Sequence, residues 1–145
     1  MELYRAMCGA VDEIANTCAV ERIDAHFEKA GVLLVARSAG QLPALQATYS
    51  EYREAGLAEH YHLLNARESG EVLDVRGAAA AISTPEGASL HPGRLVRGLA
   101  EAVERRGGII HESTAVREVR PGRRPIVIVD SGEVRAQVVV LALEA

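Results

Sequence analysis

The sequence predicts an α+β fold, because helical and strand-like patterns follow one another along its 145 residues and three short strands with tight turns lie near its end. Apolar residues recur at spacings of three and four in residues 2–18 and again after Pro92, which is the period of an amphipathic helix. Residues 114–120 alternate with a period of two, which is typical of a half-exposed strand. At 48% apolar residues, the chain can bury a core.

The chain begins with a predicted helix over residues 2–18, followed by a predicted hairpin. The helix carries one apolar row that needs a covering surface, made of Leu3, Tyr4, Met7, Val11, Ile14 and Cys18. Residues 23–27 and 32–36 are expected to be the two strands of the hairpin, joined at Gly31.

A second helix is predicted over residues 41–55. Pro43 fits only its first turn, and Gly56 stands where a helix end favours a positive φ. The following residues predict a short extended piece and then a brief helix that ends near Val72. Residues 78–83 and 87–91 are expected to be strands around the turn Thr84-Pro85-Glu86-Gly87.

The second half of the chain predicts a helix, a strand and a meander. Pro92 opens the helix and Gly107-Gly108 ends it, after which Ile109 and Ile110 are expected to begin a strand. The segments TAVREVR, IVIVD and GEVRAQ predict three antiparallel strands. The unbroken apolar run at residues 138–143 predicts a strand buried on both faces, as in a parallel sheet.

Composition excludes several classes of function. A net charge of −4 with interspersed acids and bases gives no cationic surface for nucleic acid, and 3% aromatic residues give no stacking platforms. No apolar run reaches the ~20 residues that span a bilayer, and the N-terminus lacks a signal-peptide core. Cys8 and Cys18 lie about 15 Å apart on a helix, so we expect free thiols and a cytoplasmic location.

No catalytic or metal-binding residue is predicted. The chain has neither a G-x-G-x-x-G nor a G-x-x-x-x-G-K-S/T motif to cradle a phosphate. His60 and His62 would share a face of a strand, but a zinc site needs three or four ligands. His111-Glu112 begins like H-E-x-x-H and lacks the second histidine, and no serine or cysteine has the setting of a nucleophile.

Several segments in succession resemble one enzyme family. LHPGRLVRGLAEAVERRGGIIHESTAVREV, then the meander, then GEVRAQVVVLALEA, resemble the middle of the FAD-dependent oxidoreductases that include glycine oxidase, D-amino-acid oxidase, sarcosine oxidase and the γ-glutamylputrescine oxidase group. FEKAGVLLVARSAGQLPALQATYSEYREAGL and HLLNARES are similar to the entry into that family's substrate domain. The likeness covers about residues 20–145, and the order of the segments makes it specific.

The resemblance implies two parts and a cofactor, FAD. Residues 1–91 would be a substrate-domain-like part with an antiparallel sheet, and residues 92–145 a partial FAD-binding α/β segment with the meander. By resemblance, Val116 maps beside the adenine, and Ala142 and Leu143 map near the adenosine and pyrophosphate. Many relatives have a small Thr-Gly pair where this chain has Leu143 followed by a glutamate, which leaves less room for a phosphate.

Two hypotheses follow for the function. In the first, the chain is an interior fragment or subunit of an oxidoreductase that uses FAD to oxidise the C–N bond of a small amine or amino acid. Without a glycine-rich loop, the isolated chain is expected to be inactive and not to bind FAD tightly. In the second, it is a non-catalytic remnant or a small binding or self-associating α/β module without cofactor. Its exposed apolar segments are expected to recruit a second copy or a partner that supplies the family's other segments.

Overall fold

The computed structural model describes residues 1–143 of the chain. In this part, helices and strands follow in the order α1 Glu2–Glu21, β1 Val32–Ala36, α2 Leu42–Glu54, β2 His62–Asn65, α3 Ala66–Val72, β3 Ala80–Thr84, α4 Pro92–Arg105, β4 Val116–Arg120, β5 Ile126–Val129 and β6 Gly132–Arg135. A single 3₁₀ turn, Ala39–Gln41, leads into α2. The predicted α+β fold is confirmed.

The chain divides into two compact units. The first unit is Met1–Ala102 and the second begins at Val103, so the division falls inside α4. Each unit contains one three-stranded antiparallel sheet, with the strand order β1-β3-β2 in the first unit and β4-β5-β6 in the second. The predicted boundary between residues 91 and 92 stays a prediction.

The core of the first unit lies between its sheet and α2. Four buried residues form its centre, Ala36, Leu45, Ala80 and Ile82, and four partly buried residues pack against them, Leu42, Tyr49, Tyr52 and Tyr61. Strand β3 occupies the middle of the sheet, with Leu34 of β1 and Leu63 of β2 both opposite Ile82. A central strand has neighbours on both edges, which explains why small residues such as Ala80 and Ala81 suffice there.

Local capping interactions begin and end the helices of the first unit. Asn65 caps α3 by accepting hydrogen bonds from the backbone N–H groups of Arg67 and Glu68, and the Glu68 carboxylate accepts one in return from the Asn65 N–H. Pro43 lies in the first turn of α2 and Gly56 follows its end with φ 77°, as predicted.

The hairpin predicted for residues 23–27 and 32–36 is wrong. Arg22 ends α1 in the left-handed region, the Ile23 N–H donates to Cys18 O at 2.8 Å, and His26 has φ 49°. These backbone conformations are incompatible with an extended strand. Strand β1 forms as predicted, but it pairs with β3 and not with its sequence neighbour.

The strand predicted for residues 87–91 is also absent as a regular element. An isolated bridge lies there, in which Ser89 and Glu28 exchange two backbone hydrogen bonds of 2.9 Å. Two further backbone hydrogen bonds flank this bridge, from the Gly31 N–H to Gly87 O at 3.0 Å and from the His91 N–H to Ala25 O at 2.8 Å. This part of the chain therefore connects β3 to α4 as an irregular segment that pairs with residues 25–31 without forming a regular strand.

The sheet of the second unit is the predicted meander, which forms with β5 in the middle. None of residues 103–143 is buried, and those of β5 are half-buried. A sheet of this size ordinarily needs a hydrophobic layer packed against one face.

The two apolar strands predicted for this unit are not formed. Ile109 is 79% exposed, and the run at residues 138–143 has no strand assignment, with Val140 at 81% exposure. A strand buried on both faces requires hydrogen-bonded neighbours and covering layers, and the described residues supply neither to these segments.

Candidate functional site

A concave surface on the meander is the most site-like feature of the second unit. It has a volume of about 410 Å³, within the range of small-molecule sites. Its wall is a row of valines, and its rim carries hydroxyl and imidazole groups; the lining residues are His111, Thr114, Val116, Val127, Val129, Ser131, Gly132, Glu133 and Val134. We call this surface the valine groove.

The strand register explains why these valines share one face. Val116 of β4 lies opposite Val129, and Val134 of β6 lies opposite Val127. Because side chains alternate between the faces of a strand, Val127 and Val129 point to the same side while Ile128 points to the other. The valine groove therefore occupies the apolar face of the meander.

A β-bulge lies at the edge of the groove, at the start of β4. The register shifts between Val116 and Glu118, which makes Arg117 the additional residue. Its guanidinium donates two hydrogen bonds of 2.6 Å to the Asp130 carboxylate. The bulge thus holds the end of β4 against the end of β5, next to Val116.

The contact between Arg117 and Asp130 shifts the pKa of both side chains. The hydrogen bonds from Arg117 lower the pKa of Asp130, and the same bonds raise the pKa of Arg117. Glu118 likewise has a lowered pKa because Arg120 donates to it. All of these groups are exposed, so water and salt screen them and they contribute little to stability.

The structure brings only one of the three predicted cofactor contacts into the groove. Val116 lines it, whereas Ala142 and Leu143 lie after β6 in a segment without strand assignment and are not among its lining residues. The glutamate that follows Leu143 lies outside the described residues. The contacts assigned to these three residues stay predictions.

Sequence reasoning did not find the other lining residues of the groove. The sequence predicts a strand for the segment that contains Val127 and Val129, without assigning either residue to a site, and His111 enters it only as part of an incomplete zinc motif. The signal that could have found them is the period of two, which places alternate residues of IVIVD on the face of Val116 once the meander register is known.

A second, smaller cavity of about 220 Å³ lies between β1 and α2 of the first unit. Its polar lining residues are Gln41 and Thr48, and the Gln41 Oε1 already accepts a hydrogen bond from the Arg37 backbone at 2.7 Å. Such a lining has no acid, base or nucleophile, so it supports packing and not chemistry.

Metal and thiol chemistry find little support in the part of the chain that is described. No group of three His, Cys, Asp or Glu side chains there could hold a metal ion. The ring of His60 lies 4.7 Å from that of Tyr4, and Cys8 and Cys18 are free thiols. None of the helices among residues 1–143 has the length and apolarity that a bilayer crossing requires.

Comparison with known proteins identifies one family. The sequence model of a family described as FAD dependent oxidoreductase matches residues 1–145. No curated protein sequence matches.

The solved structures that share the fold include the following three. They are glycine oxidase from Bacillus cereus ATCC 14579 (TM-score 0.73, 18% identity, 92% of this chain and 38% of that chain), glycine oxidase from Geobacillus kaustophilus (0.67, 22%, 97% and 37%) and L-proline dehydrogenase from P. horikoshii (0.67, 16%, 90% and 35%). This chain therefore spans less than two fifths of the length of each of them.

Proposed function

Because the chain belongs to the FAD-dependent oxidoreductase family, we propose that it is one part of an enzyme that uses FAD to oxidise the C–N bond of an amine or amino acid. The observation that carries this proposal is the family match over the whole sequence. The names of the structural relatives support it, since glycine and L-proline are both amino acids with an amine nitrogen next to a carboxylate-bearing carbon.

The valine groove fits the nucleoside end of FAD. Its volume of about 410 Å³ and its apolar wall suit a flat heterocycle, and the hydroxyls of Thr114 and Ser131 at the rim suit a ribose. Val116 at the bulge would contact the adenine. When bound, the flavin supplies the hydride acceptor, while the protein residues bind and orient it.

The chain has no corresponding site for the pyrophosphate of FAD. A dinucleotide site ordinarily uses a glycine-rich loop at a helix N-terminus, whose backbone N–H groups face the charged oxygens. No G-x-G-x-x-G motif is present in the 145 residues. We therefore propose that a loop of this kind comes from another polypeptide segment, and that this chain alone binds FAD weakly.

Titration of the isotope-labelled chain with FAD, followed by NMR, tests the groove. We expect chemical-shift changes at Val116, Val127 and Val129, and loss of the cofactor on dialysis. Val129→Phe fills the groove and should raise the dissociation constant about tenfold. Ile128→Phe is the matched control, because its side chain lies on the opposite face of the same strand. Circular dichroism shows whether both variants keep the sheet.

Two outcomes would contradict these proposals separately. Stoichiometric FAD that survives extensive dialysis of the isolated chain would show that no external loop is needed. Shift changes confined to residues outside the groove would show that the nucleoside binds elsewhere. A protein that is colourless and indifferent to FAD would support the alternative of a small binding or self-associating module.

The reaction itself is tested on the chain assembled with a polypeptide that carries a glycine-rich loop. We expect glycine or L-proline to bleach the flavin absorbance under anaerobic conditions, and glycolate to leave it unchanged. Glycolate is the matched control because it replaces the C–N bond of glycine by a C–O bond. Bleaching by glycolate alone would contradict C–N oxidation.

A further inference from the structure

The two hydroxyl groups at the rim of the valine groove come from two separate loops. Thr114 precedes β4, and Ser131 lies in the turn between β5 and β6. Because Val116 lies opposite Val129, the beginning of β4 and the end of β5 meet at the same end of the meander. Both hydroxyl groups therefore belong to one end of the groove.

The Thr114 hydroxyl is held as a hydrogen-bond acceptor. It donates a hydrogen bond to the Glu112 carbonyl oxygen at 2.9 Å, which leaves the lone pairs of its own oxygen for another donor. Ser113, between these two residues, has φ 51°, a left-handed conformation that a non-glycine residue keeps only where its surroundings fix it. The loop before β4 thus presents an oriented acceptor at the rim.

A ribose carries groups that complement this rim. Its 2′ and 3′ hydroxyls are neighbours, and each of them can donate one hydrogen bond and accept others. One can donate to the Thr114 oxygen while the other pairs with the Ser131 hydroxyl. Both bonds form only if the two protein hydroxyls keep a fixed separation, because an O–H···O hydrogen bond needs its oxygens within about 3 Å of each other.

An ion pair connects the two segments that carry these hydroxyls. Arg117, the additional residue of the bulge in β4, donates one hydrogen bond of 2.6 Å to each carboxylate oxygen of Asp130. Asp130 directly precedes Ser131 in the turn after β5. A guanidinium that binds both oxygens of a carboxylate fixes their orientation as well as their distance. The contact therefore determines how the turn after β5 stands relative to the start of β4.

This ion pair contributes little to the stability of the fold. The side chains of Arg117 and Asp130 are 61% and 67% exposed, so water and salt screen their attraction. A comparable pair lies farther along β4, where Arg120 donates hydrogen bonds of 2.9 and 3.0 Å to the two oxygens of Glu118. Its side chains are 58% and 52% exposed, but its hydrogen bonds join two residues of one strand. The two pairs therefore differ in what they connect and hardly in their exposure.

We propose that the Arg117–Asp130 contact positions the hydroxyls of Thr114 and Ser131 for the 2′ and 3′ hydroxyls of a ribose, so that the valine groove selects ribonucleosides. This inference rests on the proposed nucleoside site. Arg117 and Asp130 are positioning residues, since they act on the ligand through the hydroxyls of nearby residues.

Titration of the isotope-labelled chain with adenosine and with 2′,3′-dideoxyadenosine, followed by NMR, tests the selection. Dideoxyadenosine is the matched ligand, because it keeps the base and lacks both hydroxyls. We expect adenosine to bind roughly tenfold more tightly, since it forms the additional hydrogen bonds at the rim. The chemical-shift changes of the Thr114 and Ser131 amides should be larger with adenosine than with dideoxyadenosine.

Variants of the ion pair test the positioning role. In Arg117→Ala the preference for adenosine should fall to about twofold or less, while the dissociation constant of dideoxyadenosine stays within about twofold of its wild-type value. Asp130→Asn keeps one acceptor oxygen and a side chain that suits a turn, so its preference should lie between those of Arg117→Ala and the wild type. Arg120→Ala is the matched control and should keep the full preference. Circular dichroism shows whether the variants keep the sheet.

The possible failures are distinguishable. Equal binding of the two nucleosides by the wild-type chain would overturn this inference and leave the nucleoside site in place. An unchanged preference in Arg117→Ala, an equal loss in Arg120→Ala, or equal weakening of both nucleosides by Arg117→Ala would overturn the positioning role. If neither nucleoside shifts the signals of the groove residues, the proposed nucleoside site itself is wrong and this inference fails with it.

Discussion

The backbone at Gly31 lies against the turn that follows β3. Gly31 has φ 78°, and a Cβ added there would lie 2.5 Å from the Thr84 carbonyl oxygen. Gly56 has nearly the same φ, 77°, but no atom lies within 4 Å of an added Cβ. These two glycines therefore separate the cost of the backbone conformation from the cost of a steric clash.

We predict that Gly31→Ala lowers the free energy of unfolding by about 3 kcal/mol, since left-handed strain and overpacking add. Gly56→Ala, the control, should lower it by only about 1 kcal/mol, because strain alone acts there. Urea unfolding of both variants measures the difference. Equal losses would mean that the turn after β3 shifts to make room.

Tyr4 joins α1 to an aromatic cluster of the first unit. Its ring lies 4.7 Å from that of His60 and 6.2 Å from that of Tyr61, which stacks on Tyr52 at 4.0 Å. The Tyr4 hydroxyl oxygen is buried, with the side chains of Cys8 and Thr84 as its polar neighbours. Burial raises the pKa of Tyr4 to about 12.

This shift predicts a loss of stability in alkali. The unfolded chain releases the Tyr4 proton near pH 10 and the folded chain near pH 12, so the contribution is fully present below pH 10 and is lost as the pH rises through this window. Tyr4→Phe should remove this slope, because the variant has no hydroxyl proton to release. Tyr49→Phe should keep the slope. Urea unfolding between neutral pH and pH 12 measures both, and an unchanged slope in Tyr4→Phe would refute the assignment.

At the scale of elements, the packing of α2 on the first sheet supplies the core. Leu45 of α2 is 5% exposed and contacts the cluster around Ile82, whereas Leu73, just after α3, is 57% exposed. The two leucines are a matched pair that differ in burial.

Leu45→Ala should lower the free energy of unfolding by about 3 kcal/mol, since it removes buried methyl groups and leaves a cavity. Leu73→Ala should cost less than about 1 kcal/mol, because its side chain is largely in water already. Thermal and urea unfolding measure both changes. Similar losses in the two variants would place the core elsewhere than between α2 and β3.

Elements with strong local signals were predicted well. Helix α2 follows from Pro43 at its start and Gly56 after its end, and the meander follows from its period of two and its turns. The predicted strand at residues 23–27 is wrong because backbone groups near Arg22 and His26 adopt left-handed conformations, which apolar content alone does not report.

At the scale of the whole molecule, the two units differ in how much they bury. The first unit contains buried residues in α1, α2 and its sheet. No residue from 103 to 143 is buried. Local stability follows buried apolar contacts, so the second unit should open at a lower free energy than the first.

Native-state hydrogen exchange measures this difference. We expect the amides of β3 to exchange only on global unfolding of the first unit, and those of β5 to exchange through a lower-energy opening. FAD at millimolar concentration should slow exchange in β5 more than in β3, because a ligand stabilises the conformation that binds it. Equal protection of β3 and β5 without ligand would contradict the prediction.

The sequence by itself determined the α+β class, the main helices, the meander and the family, because caps, periodicity and segment order are local signals that the chain carries in any environment. Only the tertiary structure decided that β1 pairs with β3, and that Val127 and Val129 join Val116 in one groove. In the structure, the apolar run at residues 138–143 forms no strand. The physical reason is that strand pairing and burial each need two segments in contact. The pattern of one segment shows which of its residues are apolar, but not which other segment pairs with it or covers it.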